Sequence, residues 1–127
     1  MSRTYIEKIL RARVYDVACE TPLESAQRLS ARMENRVLLK REDQQQVFSF
    51  KLRGAYNKIY HLSQEQRSQG VVAASAGNHA QGVAHAGKHL GVNTTIVMPV
   101  TTPANKVGTV RRQCGKEMLH GDNYDEH

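Results

Sequence analysis

Lys51 stands in the stretch Ser49-Phe50-Lys51-Leu52-Arg53-Gly54-Ala55, and Ser75-Ala76-Gly77-Asn78-His79 follows about one strand and one helix later. A lysine in the first turn of a helix faces the partial positive charge of that helix's amino end, which disfavours an ammonium there. Only an unprotonated amine can attack a carbonyl and form an imine. The second stretch places a glycine and two hydrogen-bonding side chains where another helix begins, a natural seat for an anionic group. An amine poised for attack and an anion seat together point to amino-acid chemistry on a carbonyl cofactor.

Each stretch also has a plainer reading. A lysine after a Ser cap is commonly a surface residue, although the apolar Phe50 and the small Gly54 beside it are unusual for a solvated turn. Ser75-Ala76-Gly77-Asn78 could be an ordinary strand-to-helix turn with Asn78 as cap. His85 and His89 share a helix face, but no third ligand joins them, so no metal site is expected. His61, His120 and His127 carry no pattern. No Ser-His-Asp or Cys-His arrangement and no dinucleotide or Walker fingerprint is present.

The elements that must position these residues can be read from periodicity. Ile6, Ile9, Leu10, Val14 and Val17 lie at helical spacing. Thr21-Pro22-Leu23-Glu24 has a capping-box pattern, predicting a second helix with Ala26, Leu29 and Met33 inward. Val37-Leu38-Leu39 predicts a short buried strand, and residues 42–47 a loop. Ser49 caps a helix with Leu52, Ala55, Tyr56 and Ile59 on its apolar face; Ser63 and Gln66 cap another turn that Gly70 stops. Strands are expected at 71–74, 94–98 and, weakened by Glu117, 116–119. Helices are expected from Asn78 to Gly91 and from Thr102-Pro103 to about Gln113. One more helix is expected to begin at residues 123–126.

Strand and helix alternate, which predicts an α/β fold: a three-layer parallel sheet with helices on both faces. In such a sheet, helices that follow strands begin on the rim where ligands bind, so both motifs should meet there. The 127 residues, 39% hydrophobic, form one domain with a real core. No apolar run is long enough to span a membrane, and the N-terminus lacks a signal-peptide core. Cys19 and Cys114 read as reduced thiols of a cytoplasmic protein. The net charge of +6 is dispersed, and with two Phe and no Trp for base stacking, nucleic-acid binding is not expected.

Thr21-Pro22-Leu23, Leu39-Lys40-Arg41-Glu42-Asp43, the Lys51 stretch and Ser75-Ala76-Gly77-Asn78-His79-Ala80-Gln81-Gly82 resemble the threonine dehydratases (threonine ammonia-lyases). These are pyridoxal-phosphate enzymes of the fold type II group that includes serine racemase and the tryptophan synthase β-subunit. Val47-Phe48 before Ser49 is similar to the biosynthetic branch, which makes 2-oxobutanoate for isoleucine. The resemblance implies that Lys51 is the Schiff-base lysine for pyridoxal 5'-phosphate and serves in proton transfer. It implies that Asn78 hydrogen-bonds the cofactor ring hydroxyl and that Phe50 lies near the ring. Ser75, Gly77 and His79 would belong to the loop that receives the substrate carboxylate.

The implied substrate is L-threonine, with L-serine as an alternative, and the full-length relatives are expected to be homo-oligomers. Residues 1–127 then form a single truncated domain, with about 1–45 a stub of the large domain and about 46–127 the small domain. The family's glycine-rich phosphate loop would lie beyond His127, so the chain alone is expected to be inactive, with an apolar patch exposed where the absent domain packs. A non-catalytic remnant that binds a partner is the alternative. Gln46, Gln113, Cys114 and Glu117 depart from the family's usual residues.

Overall fold

A computed structural model describes residues 3–113 and 115–122; Cys114 and the helix start expected at residues 123–126 lie outside the described residues. The sheet is built from β3 (Val71–Ala74), β4 (Thr94–Met98) and β5 (Lys116–Leu119), all parallel in the order β3-β4-β5. Val71 pairs with Thr94 and Thr95 with Lys116, so the strands end together along one rim. The helix α5 (Asn78–Leu90) joins β3 to β4, and α6 (Ala104–Arg112) joins β4 to β5. Successive right-handed crossovers put both helices on one face, and they touch each other. The expected α/β fold with a parallel sheet is present, with helices on one face rather than on both among the described residues. The opposite face of the sheet, with Val72 and Met118, is open among the described residues.

The core lies between the sheet and its helices. Leu52, Ala55, Tyr56 and Ile59 of α3 (Lys51–Tyr60) are all buried, as their spacing requires, and meet Ala80, Val83 and Ala84 of α5. Gly87 lets α5 sit close on β4: a Cβ there would overlap the Thr94 methyl and lie 2.9 Å from the Val92 carbonyl oxygen. The helix α4 (Gln64–Gln69) has the expected capping box, Ser63 and Gln66 exchanging two hydrogen bonds, and Gly70 ends it at φ 81°. Glu117 is tolerated in β5 because Arg111 Nε donates to its carboxylate at 2.8 Å.

The first third departs from its periodicity. The helix α1 (Arg3–Arg11) stops short of Val14, and its Ile6, Ile9 and Leu10 are exposed. Residues Val14–Asp16 make a 3-10 turn instead, and of the five apolar positions only Val17 is buried. Thr21 does not cap a helix. Leu23–Ser25 is a strand, β1, paired antiparallel with β2 (Leu38–Lys40), and α2 (Gln27–Arg32) begins later. A partner strand outweighs the local capping pattern here. Leu29 and Met33 are exposed rather than inward, and β2 is an exposed ribbon strand outside the parallel sheet.

Thr21 is buried for a different reason: its hydroxyl donates to Glu42 Oε1 at 2.6 Å. The Glu42 carboxylate also accepts from Arg53 Nε and an Arg53 terminal nitrogen, at 2.8 and 3.0 Å, and from Gln45 Nε2 at 3.2 Å. Arg53 reaches onward to the Cys19 carbonyl at 3.2 Å. This cluster ties the first third to α3. Held chiefly by Arg53 and against the upward push of partial burial, the Glu42 pKa falls from 4.5 to about 2. A carboxylate so depressed stabilises fully above its unfolded value and loses that contribution as pH falls from 4.5 towards 2.

Urea unfolding followed against pH checks this. Glu42→Gln should lower stability at neutral pH by about 1–3 kcal/mol and flatten the acid slope. Asp16, Asp43 and Glu117, also depressed by arginine partners, supply the slope that remains.

Candidate active site

Lys51 opens α3. Ser49, buried, accepts a hydrogen bond from the Lys51 backbone N–H at 3.2 Å, although the residue at the cap position is Phe50. The Ser49 hydroxyl therefore satisfies one free N–H of the first turn from one residue further out. Before it, Phe48 takes φ 55°, a left-handed conformation uncommon for a bulky side chain, and its ring is exposed. Strain of this kind concentrates at functional sites. Phe50 is exposed too, and the Lys51 Nζ lies 5.4 Å from its ring centroid.

The second stretch follows β3. The Ser75 backbone N–H donates to the Val97 carbonyl at 3.0 Å, fixing the loop to the end of β4. The Ser75 hydroxyl then accepts from the Gly77 N–H at 3.3 Å. Gly77 is the cap residue and Asn78 the first helical residue, so the Asn78 side chain is not spent on capping. In front of Gly77 nothing lies within 4 Å of where a Cβ would stand. That space is open at a helix amino end, where an anion is favoured.

The two stretches meet through Gly82. A Cβ on Gly82 would lie 3.1 Å from both the carbonyl carbon and oxygen of Lys51 and 3.2 Å from the Leu52 nitrogen. The second turn of α5 thus rests directly on the first turn of α3. Further along, Tyr56 and His89 meet edge to face at 5.7 Å, so the helices run in the same direction and start side by side. A cavity of about 670 Å³ opens there, with Phe50, Lys51, Ala73, His79 and Val83 at one end. It continues between α3 and β3 to Gly70. Phe50, Lys51 and His79 line it; Ser75 and Gly77, on the loop before α5, and Asn78, its first residue, do not.

Gly54 faces open cavity, with nothing within 4 Å of its missing side chain, and Gly82 carries the close backbone approach. Gly82 stood inside the quoted motif without a role; a glycine one turn and a half into a small-residue helix was the available signal. Among the described residues no group of His, Cys, Asp and Glu could hold a metal. His85 and His89 do share the α5 face as expected, on another cavity.

A family model described as pyridoxal-phosphate dependent enzyme matches residues 14–127. The chain belongs to that family. It is 57% identical over 122 residues to the biosynthetic L-threonine dehydratase of Pasteurella multocida, covering 96% of this chain and 24% of that protein. It is 54% identical over 122 residues to the mitochondrial threonine dehydratase of Saccharomyces cerevisiae, covering 96% and 21%. The processed form of threonine deaminase isoform 2 from Solanum lycopersicum superposes with a TM-score of 0.91 at 54% identity, covering 97% of this chain and 34% of that one. Maize serine racemase gives 0.86 at 35% identity, covering 94% and 36%. The resemblance to threonine dehydratases drawn from the motifs therefore holds. The chain spans less than a quarter of the length of the two dehydratases.

The residues present fit part of the family's cofactor. They offer a lysine on the wall of a largely apolar cavity, an aromatic ring 5.4 Å from its amine, and an open helix amino end two residues before His79, which lines the same cavity. The α3–α5 contact can be tested by contrast. Gly82→Val should cost about 1–3 kcal/mol by overpacking, because the atoms it meets are backbone. Gly54→Ala, with room for its methyl, should gain about 0.5–1 kcal/mol as an ordinary helix-interior replacement. Chemical denaturation of both variants reads the difference.

Proposed function

We propose that this chain supplies the lysine-bearing part of a pyridoxal-phosphate-dependent threonine dehydratase, which deaminates L-threonine to 2-oxobutanoate and ammonia for isoleucine synthesis. The observation that carries the reading is the shared opening of α3 and α5, which gathers Phe50, Lys51 and His79 around one cavity. Close identity to biosynthetic dehydratases supports the substrate. L-serine, one methyl smaller, is the second substrate to expect, since a missing methyl changes binding only modestly.

In this reading Lys51 Nζ would be the covalent anchor of the cofactor and would hold or move the proton at the substrate Cα. Phe50 would pack near the ring, and the Asn78 carboxamide, not used for capping, would hydrogen-bond the ring hydroxyl. The 75–79 loop, with Ser75, Gly77 and His79, holds the substrate carboxylate at the α5 amino end. The cofactor, when bound, supplies the electron sink that stabilises charge developing at Cα.

Residues 1–45 are assigned to the edge of a second, larger domain and residues 46–127 to the small domain. Supporting this division, the exposed large apolar side chains of the first third, among them Ile9, Leu10, Leu23 and Leu39, form faces with no partner among the described residues. Such faces are interaction surfaces, consistent with a homo-oligomeric whole. Cys19 is a free, exposed thiol, which suits the reducing cytoplasm. No described helix is long and apolar enough to cross a membrane.

Adding pyridoxal phosphate to the full chain and recording the imine absorbance tests the proposal. A visible band in the parent chain, absent in Lys51→Ala, is expected. A band of equal strength in Lys51→Ala would show that other lysines react and remove the basis for the site.

A further inference from the structure

A second cavity, of about 400 Å³, lies on another side of α5 and shares no lining residue with the Lys51 cavity. Its walls come from four parts of the chain: Asp16 from the 3-10 turn, Gln46 from the segment before α3, His85, Lys88 and His89 from α5, and Gln113 after α6. Val17 of the core is its one apolar side chain; the other six lining residues are polar or charged. Lys88 and the carboxamides of Gln46 and Gln113 can donate hydrogen bonds; the Asp16 carboxylate accepts, and the His85 Nδ1–H is taken by Gln113.

The single acidic group is already committed. Asp16 Oδ1 accepts from Arg13 Nε at 3.1 Å and Oδ2 accepts from the Tyr56 hydroxyl at 3.0 Å. The Arg13 charge beside it offsets its own. Lys88, an exposed residue on the cavity wall, has no carboxylate partner among the described residues. The Gln113 Oε1 atom is engaged by His85 Nδ1 at 3.1 Å, which leaves the amide NH2 as the end of that side chain free to donate. Gln46 adds a second carboxamide and His89 a second imidazole. An uncompensated cation ringed by neutral donors within a concave wall is the arrangement that takes a small anion, through charge-assisted hydrogen bonds.

We propose that this cavity binds a small oxyanion, a phosphate or a carboxylate group, through Lys88 with the carboxamides of Gln46 and Gln113, the His85 ring serving to orient Gln113. The site is independent of the lysine chemistry. Because its walls join the 3-10 turn, α5 and the end of α6, an occupant would fasten the first third of the chain to the parallel-sheet unit. Binding to the folded arrangement alone stabilises it by mass action.

Histidine imidazole proton resonances of the full chain, titrated with sodium phosphate or with sodium propionate against sodium chloride at matched ionic strength, test this. A saturable shift of His85 and His89 with phosphate identifies a phosphate site, and one with propionate a carboxylate site. Lys88→Gln, at an exposed position that should not disturb folding, should weaken the binding by about tenfold or more. Lys51→Ala should leave it unchanged. Shifts that chloride reproduces, that persist undiminished in Lys88→Gln, or that vanish in Lys51→Ala would overturn the proposal.

Discussion

The contact of Gly82 with the backbone of Lys51 and Leu52 governs the geometry of the candidate site. With no side chain at this point, α5 can lie against the first turn of α3, and both helices then start at the same place. Everything chemical follows from that registration. The amine rides on the first residue of one helix, and the open helix amino end belongs to the other. Were the helices held apart by the few ångströms a side chain needs, the cavity that Phe50, Lys51 and His79 share would lose its shape.

A second constraint acts from the other side of α3. Arg53, two residues after Lys51, is gripped by Glu42, and Glu42 is gripped in turn by Thr21 and Gln45. The partly buried ion pair is hydrogen-bonded on several lone pairs, which is the condition under which such pairs help rather than cost. Its place is informative. It fastens the exposed ribbon to the helix that carries Lys51, and Arg53 also lies over the Tyr15 ring of the 3-10 turn, so the first third of the chain buttresses the candidate site.

Much of the small α/β unit was legible in the sequence because its local signals agree with one another. Leu52, Ala55, Tyr56 and Ile59 gave one helix face, Ser63 with Gln66 gave a cap, and Gly91, at φ 65°, gave a stop. The first third was not legible, and the reason is physical. Thr21-Pro22-Leu23-Glu24 satisfies a helix-capping pattern locally, yet Thr21 is claimed by Glu42 and Leu23 pairs with Lys40, residues far along the chain. The apolar stripe of α1 has the right period but meets no surface among the described residues. At the site, residue types were readable and the contact was not: Gly82 shows its purpose only when the neighbouring helix is in place. Gln46 and Gln113, which stood out as unusual, prove to line a single cavity.

Reducing the complex of the full chain and pyridoxal phosphate with borohydride, then solving the crystal structure of the trapped adduct, measures the central claim directly. The pyridoxyl group should sit on Lys51 Nζ with its ring between Phe50 and the 75–79 loop, at the joint opening of α3 and α5. A ring on Lys51 that points away from that loop, or a group carried by a different lysine, would contradict the account.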